Sequence, residues 1–91
     1  MFNFNNRRIY LDYAATTPVS KTVLKKMQPF HNDVFFNPSS IHKGGVLAKN
    51  AVKDSREIIA RGLSVKSQDV YFVGSGTESI NIALLGVLRK F

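Results

Sequence analysis

The stretch Gly74-Ser75-Gly76-Thr77-Glu78-Ser79 has the residue types and spacing with the clearest chemical meaning in the chain. Gly74 and Gly76 allow close backbone approach and positive φ. Ser75, Thr77 and Ser79 add hydroxyl donors. A β-branched and aromatic run precedes the stretch and an apolar run follows it, which is the pattern of a strand-to-helix turn. Such a turn leaves N–H groups unpaired where the helix dipole is positive, by roughly half a unit charge. An anion is stabilised there, and the chemistry suits a phosphate monoester. A nucleoside triphosphate or a dinucleotide fits poorly. No lysine follows Gly76, as a Walker loop requires, and Ser79 stands where a third dinucleotide-binding glycine belongs. On spacing alone a plain turn serves equally well, with Thr77 or Ser79 as helix cap and Glu78 as a first-turn acid.

The other reactive types are sparse. The chain has no cysteine, hence no thiolate ligand, cysteine nucleophile or disulfide. His31 and His42 cannot form a zinc site without carboxylate help. His31 follows a predicted helix and reads as a surface or capping residue, and a loop histidine such as His42 is ordinarily solvated. Asp12 and Tyr13 have the types of an acid/base pair, but anchoring at a strand end explains them better. Lys43 and Lys66 read as surface lysines, because lysine is almost never fully buried without a partner.

The elements that must position these groups can be placed from the pattern. Residues 8–12 read as a short strand, ended by Ala14-Ala15-Thr16-Thr17-Pro18. Ser20 is a candidate cap for a helix over 21–28, with Val23, Leu24 and Met27 as its apolar stripe and Pro29 as its stop. Residues 32–43 read as a loop around Asn37-Pro38-Ser39-Ser40. A second helix is expected over 44–61, where Leu47, Ala48, Ala51, Val52, Ser55, Ile58 and Ile59 recur at three- and four-residue steps. Gly62 suits the left-handed position after it. A connection over 63–69 leads to residues 70–73, Val-Tyr-Phe-Val, which suit a strand buried on both faces. Residues 80–91 are apolar on nearly every side, like a helix inside a large protein.

Ninety-one residues make one modest domain, hiding only about 60–65% of the surface of the unfolded chain. A 44% hydrophobic and 21% charged composition excludes disordered and collagen-like classes. The net charge of +7 favours anionic partners. Its carriers are scattered in ones and twos, however, which suits an ordinary solvated surface better than a nucleic-acid site. No apolar run spans a bilayer, and residues 1–8 lack a leader pattern, so a cytoplasmic protein with no membrane association is expected. A buried strand and a buried helix near the C-terminus demand neighbours that this length does not supply. The chain reads as the opening segment of a larger α/β protein.

Three motifs carry a family resemblance. Ile9-Tyr10-Leu11-Asp12-Tyr13-Ala14-Ala15-Thr16-Thr17-Pro18-Val19 resembles the opening motif of cysteine desulfurases of the NifS/IscS type, which are grouped with class V aminotransferases. Asn37-Pro38-Ser39-Ser40-Ile41-His42 resembles their second motif at the right distance. Phe72-Val73-Gly74-Ser75-Gly76-Thr77-Glu78-Ser79-Ile80-Asn81 resembles their third, which usually reads phenylalanine-threonine-serine-glycine-alanine-threonine-glutamate-serine. Here Val73, Gly74 and Ser75 replace threonine, serine and glycine, and Gly76 replaces alanine, so one hydroxyl is lost.

The resemblance implies an α/β fold: the N-terminal part of the large domain of a pyridoxal-phosphate (PLP) transferase of fold type I. It treats residues 1–91 as one truncated segment with no internal boundary. It implies a homodimer that converts L-cysteine to L-alanine and passes persulfide sulfur to iron–sulfur cluster assembly or tRNA thiolation, through a scaffold or acceptor protein. By position, Gly76 and Thr77 would contact the cofactor phosphate. The 14–17 turn would lie near the substrate channel, and the 37–42 loop toward the active site and subunit contact. The family's Schiff-base lysine motif and persulfide cysteine have no counterpart in these 91 residues. The chain alone is therefore expected to be inactive, with no catalytic residue and no metal site of its own. Two alternatives belong to other classes. One is a non-catalytic partner that docks on an intact desulfurase through residues 80–91. The other is a small basic nucleic-acid-binding module, which the missing clusters of cations and aromatics disfavour.

Overall fold

Capping explains where the helices begin. The computed structural model describes residues 9–91, so residue 8 of the expected first strand lies outside the described residues. Ser20 has extended backbone angles, φ −63° and ψ 149°, and its Oγ accepts the Val23 N–H at 3.2 Å. Helix α1, Lys21–Met27, follows from that cap. Pro29 acts as a start as well as a stop. It has no N–H to continue α1, and its fixed φ suits the first position of the single-turn helix α2, Pro29–Asn32. His31 thus sits inside α2, where the sequence has it following a helix as a surface or capping residue.

Helix α3, Lys43–Leu63, is longer than expected at both ends. Gly62 lies within it, and the left-handed residue is Ser64, with φ 56° and ψ 39°. The Ser64 N–H bonds to the Arg61 carbonyl and the Val65 N–H to the Ala60 carbonyl, which completes a Schellman closure. A 3-10 turn, Ser67–Asp69, packs back against α3. Helix α4, Gly76–Lys90, begins four residues before the apolar run that signalled it.

The described residues form no strand, so the expected α/β pattern is not confirmed within them. Val70 does have strand-like angles, φ −100° and ψ 122°. The 70–73 run is therefore extended, but a strand requires a ladder partner, and none of the described residues pairs with it. Tyr71 is 81% exposed in consequence. Residues 9–12 are likewise irregular, with Ile9 and Leu11 facing solvent.

Two units emerge, one ending at Phe35 and one running from Phe36 to Phe91. In the first, the Tyr10 hydroxyl donates to the carbonyls of Asp12 (2.9 Å) and Thr16 (3.2 Å) and closes the turn between them. In the second, Gly45, Ala48, Val52, Arg56 and Ala60 form the covered face of α3. Ala48 and Ala60, at 6% and 3% exposure, are the buried apolar residues among those described. Of the expected apolar stripe, Ala48 is buried and Ala51 and Val52 are half-buried, whereas Leu47 and Ile58 are open. Among the described residues no helix is long and apolar enough to cross a membrane.

Candidate functional site

The turn into α4 is held by two reciprocal side-chain bonds. Ser75, extended at φ −162° and ψ 164°, accepts the Glu78 N–H through Oγ at 3.2 Å. Glu78 Oε2 reaches back to accept the Gly74 N–H at 2.8 Å. This is a close variant of the capping box, in which a serine and a glutamate three residues on satisfy each other's end of the helix. Its signal, Ser75-Gly76-Thr77-Glu78, was present in the sequence, yet the sequence reading put the cap at Thr77 or Ser79.

The arrangement assigns the other amides of the turn. The Ser79 N–H bonds to the Ser75 carbonyl at 3.1 Å, as the helix ladder requires. Gly76 and Thr77 are the first two residues of α4, and their N–H groups have no acceptor among the described residues. A Cβ built on Gly76 would meet nothing within 4 Å, so the space beside these amides is open. The Thr77 hydroxyl also has no partner there, while the Thr77 carbonyl accepts from Asn81 Nδ2 at 3.0 Å. Two free amides at the positive end of a fifteen-residue helix, with threonine and serine hydroxyls beside them, form a set of donors. Such a set suits a phosphate. Phe72, just upstream, lies against α3, with the Arg56 guanidinium 5.3 Å from its ring centroid. That cation–π contact ties the 70–73 segment to the helix.

The other candidates fall elsewhere. His42 caps α3, its Nδ1 accepting the Gly45 N–H at 3.2 Å, and its ring meets Phe36 edge-on. Asp12 works through its carbonyl, which also accepts from Ala15 and Thr16, and Tyr13 tilts against Tyr10 with centroids 5.2 Å apart. Tyr10, which the sequence reading did not single out, is the side chain that closes that turn. Lys43 opens α3 and Lys66 precedes the 3-10 turn. No three His, Asp or Glu side chains among the described residues gather as a metal site. One groove, of about 460 Å³, runs along Lys21, Leu24, Lys25, Gln28 and His31. Another, of about 320 Å³, lies beside Glu57, Ala60, Arg61, Val65 and Ser67. Neither includes the 74–79 turn.

Comparison with known proteins agrees with the motif reading. The family model for aminotransferase class-V matches residues 9–91. A cysteine desulfurase IscS of Dictyoglomus turgidum is 48% identical over 81 residues, covering 89% of this chain and 21% of that protein. One from Methanosarcina thermophila is 40% identical over 90% of this chain and 20% of its own length. A selenocysteine lyase of Homo sapiens is 36% identical over 98% of this chain and 20% of its own length. The chain thus spans about a fifth of the length of these curated relatives. No solved structure matches it.

Proposed function

The chain belongs to the aminotransferase class-V family, and from that premise we propose that it forms the N-terminal part of a PLP-dependent cysteine desulfurase of fold type I. The observation that carries this reading is the similarity to desulfurases over nine-tenths of the chain, with the donor turn at 74–79 inside the matched region. The reaction takes L-cysteine to L-alanine and keeps the sulfur as a persulfide for iron–sulfur cluster assembly or tRNA thiolation. A homodimer that meets a scaffold or acceptor protein in the cytoplasm completes the proposal.

Pyridoxal phosphate, when bound, supplies the electron sink that acidifies the α-carbon of the substrate. This chain's part is to hold the phosphate. The free amides of Gly76 and Thr77 and the Thr77 hydroxyl would donate to it, and the α4 dipole would favour its charge. Glu78 keeps its carboxylate on the Gly74 amide and so fixes the turn that aims those donors. These 91 residues contain no cysteine to receive sulfur.

Two measurements test the proposal. The chain with PLP and L-cysteine is expected to release sulfide no faster than the cofactor alone. A chimera in which this chain replaces the matching segment of the Dictyoglomus turgidum desulfurase is expected to bind the cofactor and release sulfide. A folded chimera that binds no cofactor would overturn the assignment. The similarity to a selenocysteine lyase supports a second reading, with selenocysteine as substrate. The 48% identity to the Dictyoglomus turgidum desulfurase, against 36% to the lyase, favours cysteine, and the chimera's preference between the two amino acids discriminates them.

A further inference from the structure

His42 takes the cap position of α3 with φ −74° and ψ 167°. Its Nδ1 accepts the Gly45 N–H at 3.2 Å. An imidazole nitrogen accepts only while it has no proton, so a ring bonded this way is neutral and keeps its proton on Nε2. Nε2 has no partner among the described residues. Protonation at Nδ1 would turn the acceptor into a donor and face it against another donor.

Among the described residues of the unit from Phe36 to Phe91, no acidic residue adjoins the cap. The first turn of α3 has no acidic residue, and the positive end of a 21-residue helix dipole is there instead. Lys43 adjoins His42 in sequence, and residues 36–41 include no titratable side chain. The remaining charges of α3 begin at Lys49 and continue through Lys53, Asp54, Arg56, Glu57 and Arg61. The 3-10 turn packed on α3 brings Lys66 and Asp69, but it belongs to the other end of the helix, where Ser67 shares a groove with Glu57, Ala60 and Arg61.

The loop before α3 is built closely around the cap. Asn37 Oδ1 accepts the Ser39 N–H at 2.8 Å, and the Asn37 carbonyl accepts the Ser40 N–H at 3.0 Å. The His42 ring stands edge-on to Phe36, with centroids 5.8 Å apart and planes at 77°. A Cβ on Gly45 would overlap the Ser40 carbonyl oxygen, and one on Gly44 would lie 2.6 Å from the Phe36 ring. Loop and helix therefore touch at the residues that the Gly45 bond holds.

We propose that His42 is a pH-sensitive cap, fastening the 36–41 loop to α3 while its ring is neutral and releasing it when the ring is protonated. The test is NMR on the 15N-labelled chain, made soluble by Leu84→Gln and Leu88→Gln in α4, from about pH 8 to about pH 5, the interval in which an imidazole changes charge. At the upper end the ring nitrogens should report the Nε2–H tautomer. As the ring protonates, exchange protection at the Gly45 amide should fall about fivefold, the size of an ordinary N-cap contribution. His42→Asn retains an acceptor at every pH, so its protection should stay high and flat. His42→Ala should be low and flat. An Nδ1–H tautomer at the upper end would overturn the proposal. So would a wild-type profile that persists in His42→Asn, which would assign the titration to His31. Should His42→Ala fail to fold, the tautomer and the His42→Asn profile decide.

Discussion

At the residue scale, Glu78 has two opposed effects. Its carboxylate holds the Gly74 amide at 2.8 Å and so shapes the turn. It also places a negative charge within a turn of the Gly76 and Thr77 amides, where a phosphate would sit. Glu78→Gln retains an acceptor for Gly74 and removes the charge. Dipole support of α4 should drop by a few tenths of a kcal/mol. Phosphate should bind about two- to fivefold tighter, from removal of a repulsion of roughly 0.3–1 kcal/mol. Phosphate titration followed at the Gly76 and Thr77 amides, in the chain made soluble by Leu84→Gln and Leu88→Gln, checks this, and unchanged or weaker binding would show that carboxylate and anion do not oppose each other. The donor turn was legible because glycine and hydroxyl types announce it. The choice of cap was less so, because Ser75, Thr77 and Ser79 are all good capping types. Glu78 three residues after Ser75 distinguishes them, through a side-chain bond that composition does not register.

At the element scale, the three longer helices are legible in the sequence, while its two expected strands stay unformed among the described residues, for one physical reason. A helix closes its hydrogen bonds within its own segment, whereas a strand exists only against a partner. Residues 70–73 have the right types, and Val70 the right angles, yet the described residues supply no ladder. Pro29 reads as a stop because its missing N–H breaks α1, but the same ring geometry starts α2. At the end of α3 the sequence offers Gly62, and the chain uses Ser64 in the left-handed region. Register decides there. The Val65 N–H meets the Ala60 carbonyl, and Val65 and Ala60 line the same groove. Gly62 is then an ordinary helix-interior glycine, and a Cβ there would meet nothing within 4 Å. Gly62→Ala should strengthen α3 by about 0.5–1 kcal/mol. Ser64→Gly should relieve the left-handed residue by about 1 kcal/mol. Circular dichroism against temperature measures both. A loss of helicity in Gly62→Ala would show that residue 62 faces a neighbour after all.

At the scale of the whole molecule, the apolar surface of α4 dominates. Ile80, Ile82, Leu84, Leu85, Val87 and Leu88 spread over more than half of the circumference of α4, and Leu88 is 72% exposed. Fully burying one such side chain contributes about 1.5–3 kcal/mol. With about half the surface open at six positions, on the order of 5–10 kcal/mol of apolar burial is unrealised in this one helix, as an upper estimate. The 70–73 edge adds unpaired backbone donors and acceptors, which invite pairing between chains. Both features drive association of the 91-residue chain, so expression should give oligomeric, insoluble or molten material that binds hydrophobic dyes strongly. Leu84 and Leu88 lie four residues apart on one stripe of α4, and glutamine is a good helix former. Leu84→Gln with Leu88→Gln should therefore retain the helix, raise the soluble fraction and lower dye binding. In the Dictyoglomus turgidum relative, the proposed role of this segment sets the opposite expectation. There the matching changes should place polar amides against a packed interior, at a cost of about 1–3 kcal/mol each, and reduce the yield of folded protein. Size-exclusion chromatography and dye fluorescence measure the first effect, and thermal denaturation the second. A sharp cooperative melt from a dilute wild-type monomer would show that the apolar surface of α4 is covered within the chain itself, and the contrast between the two proteins would vanish.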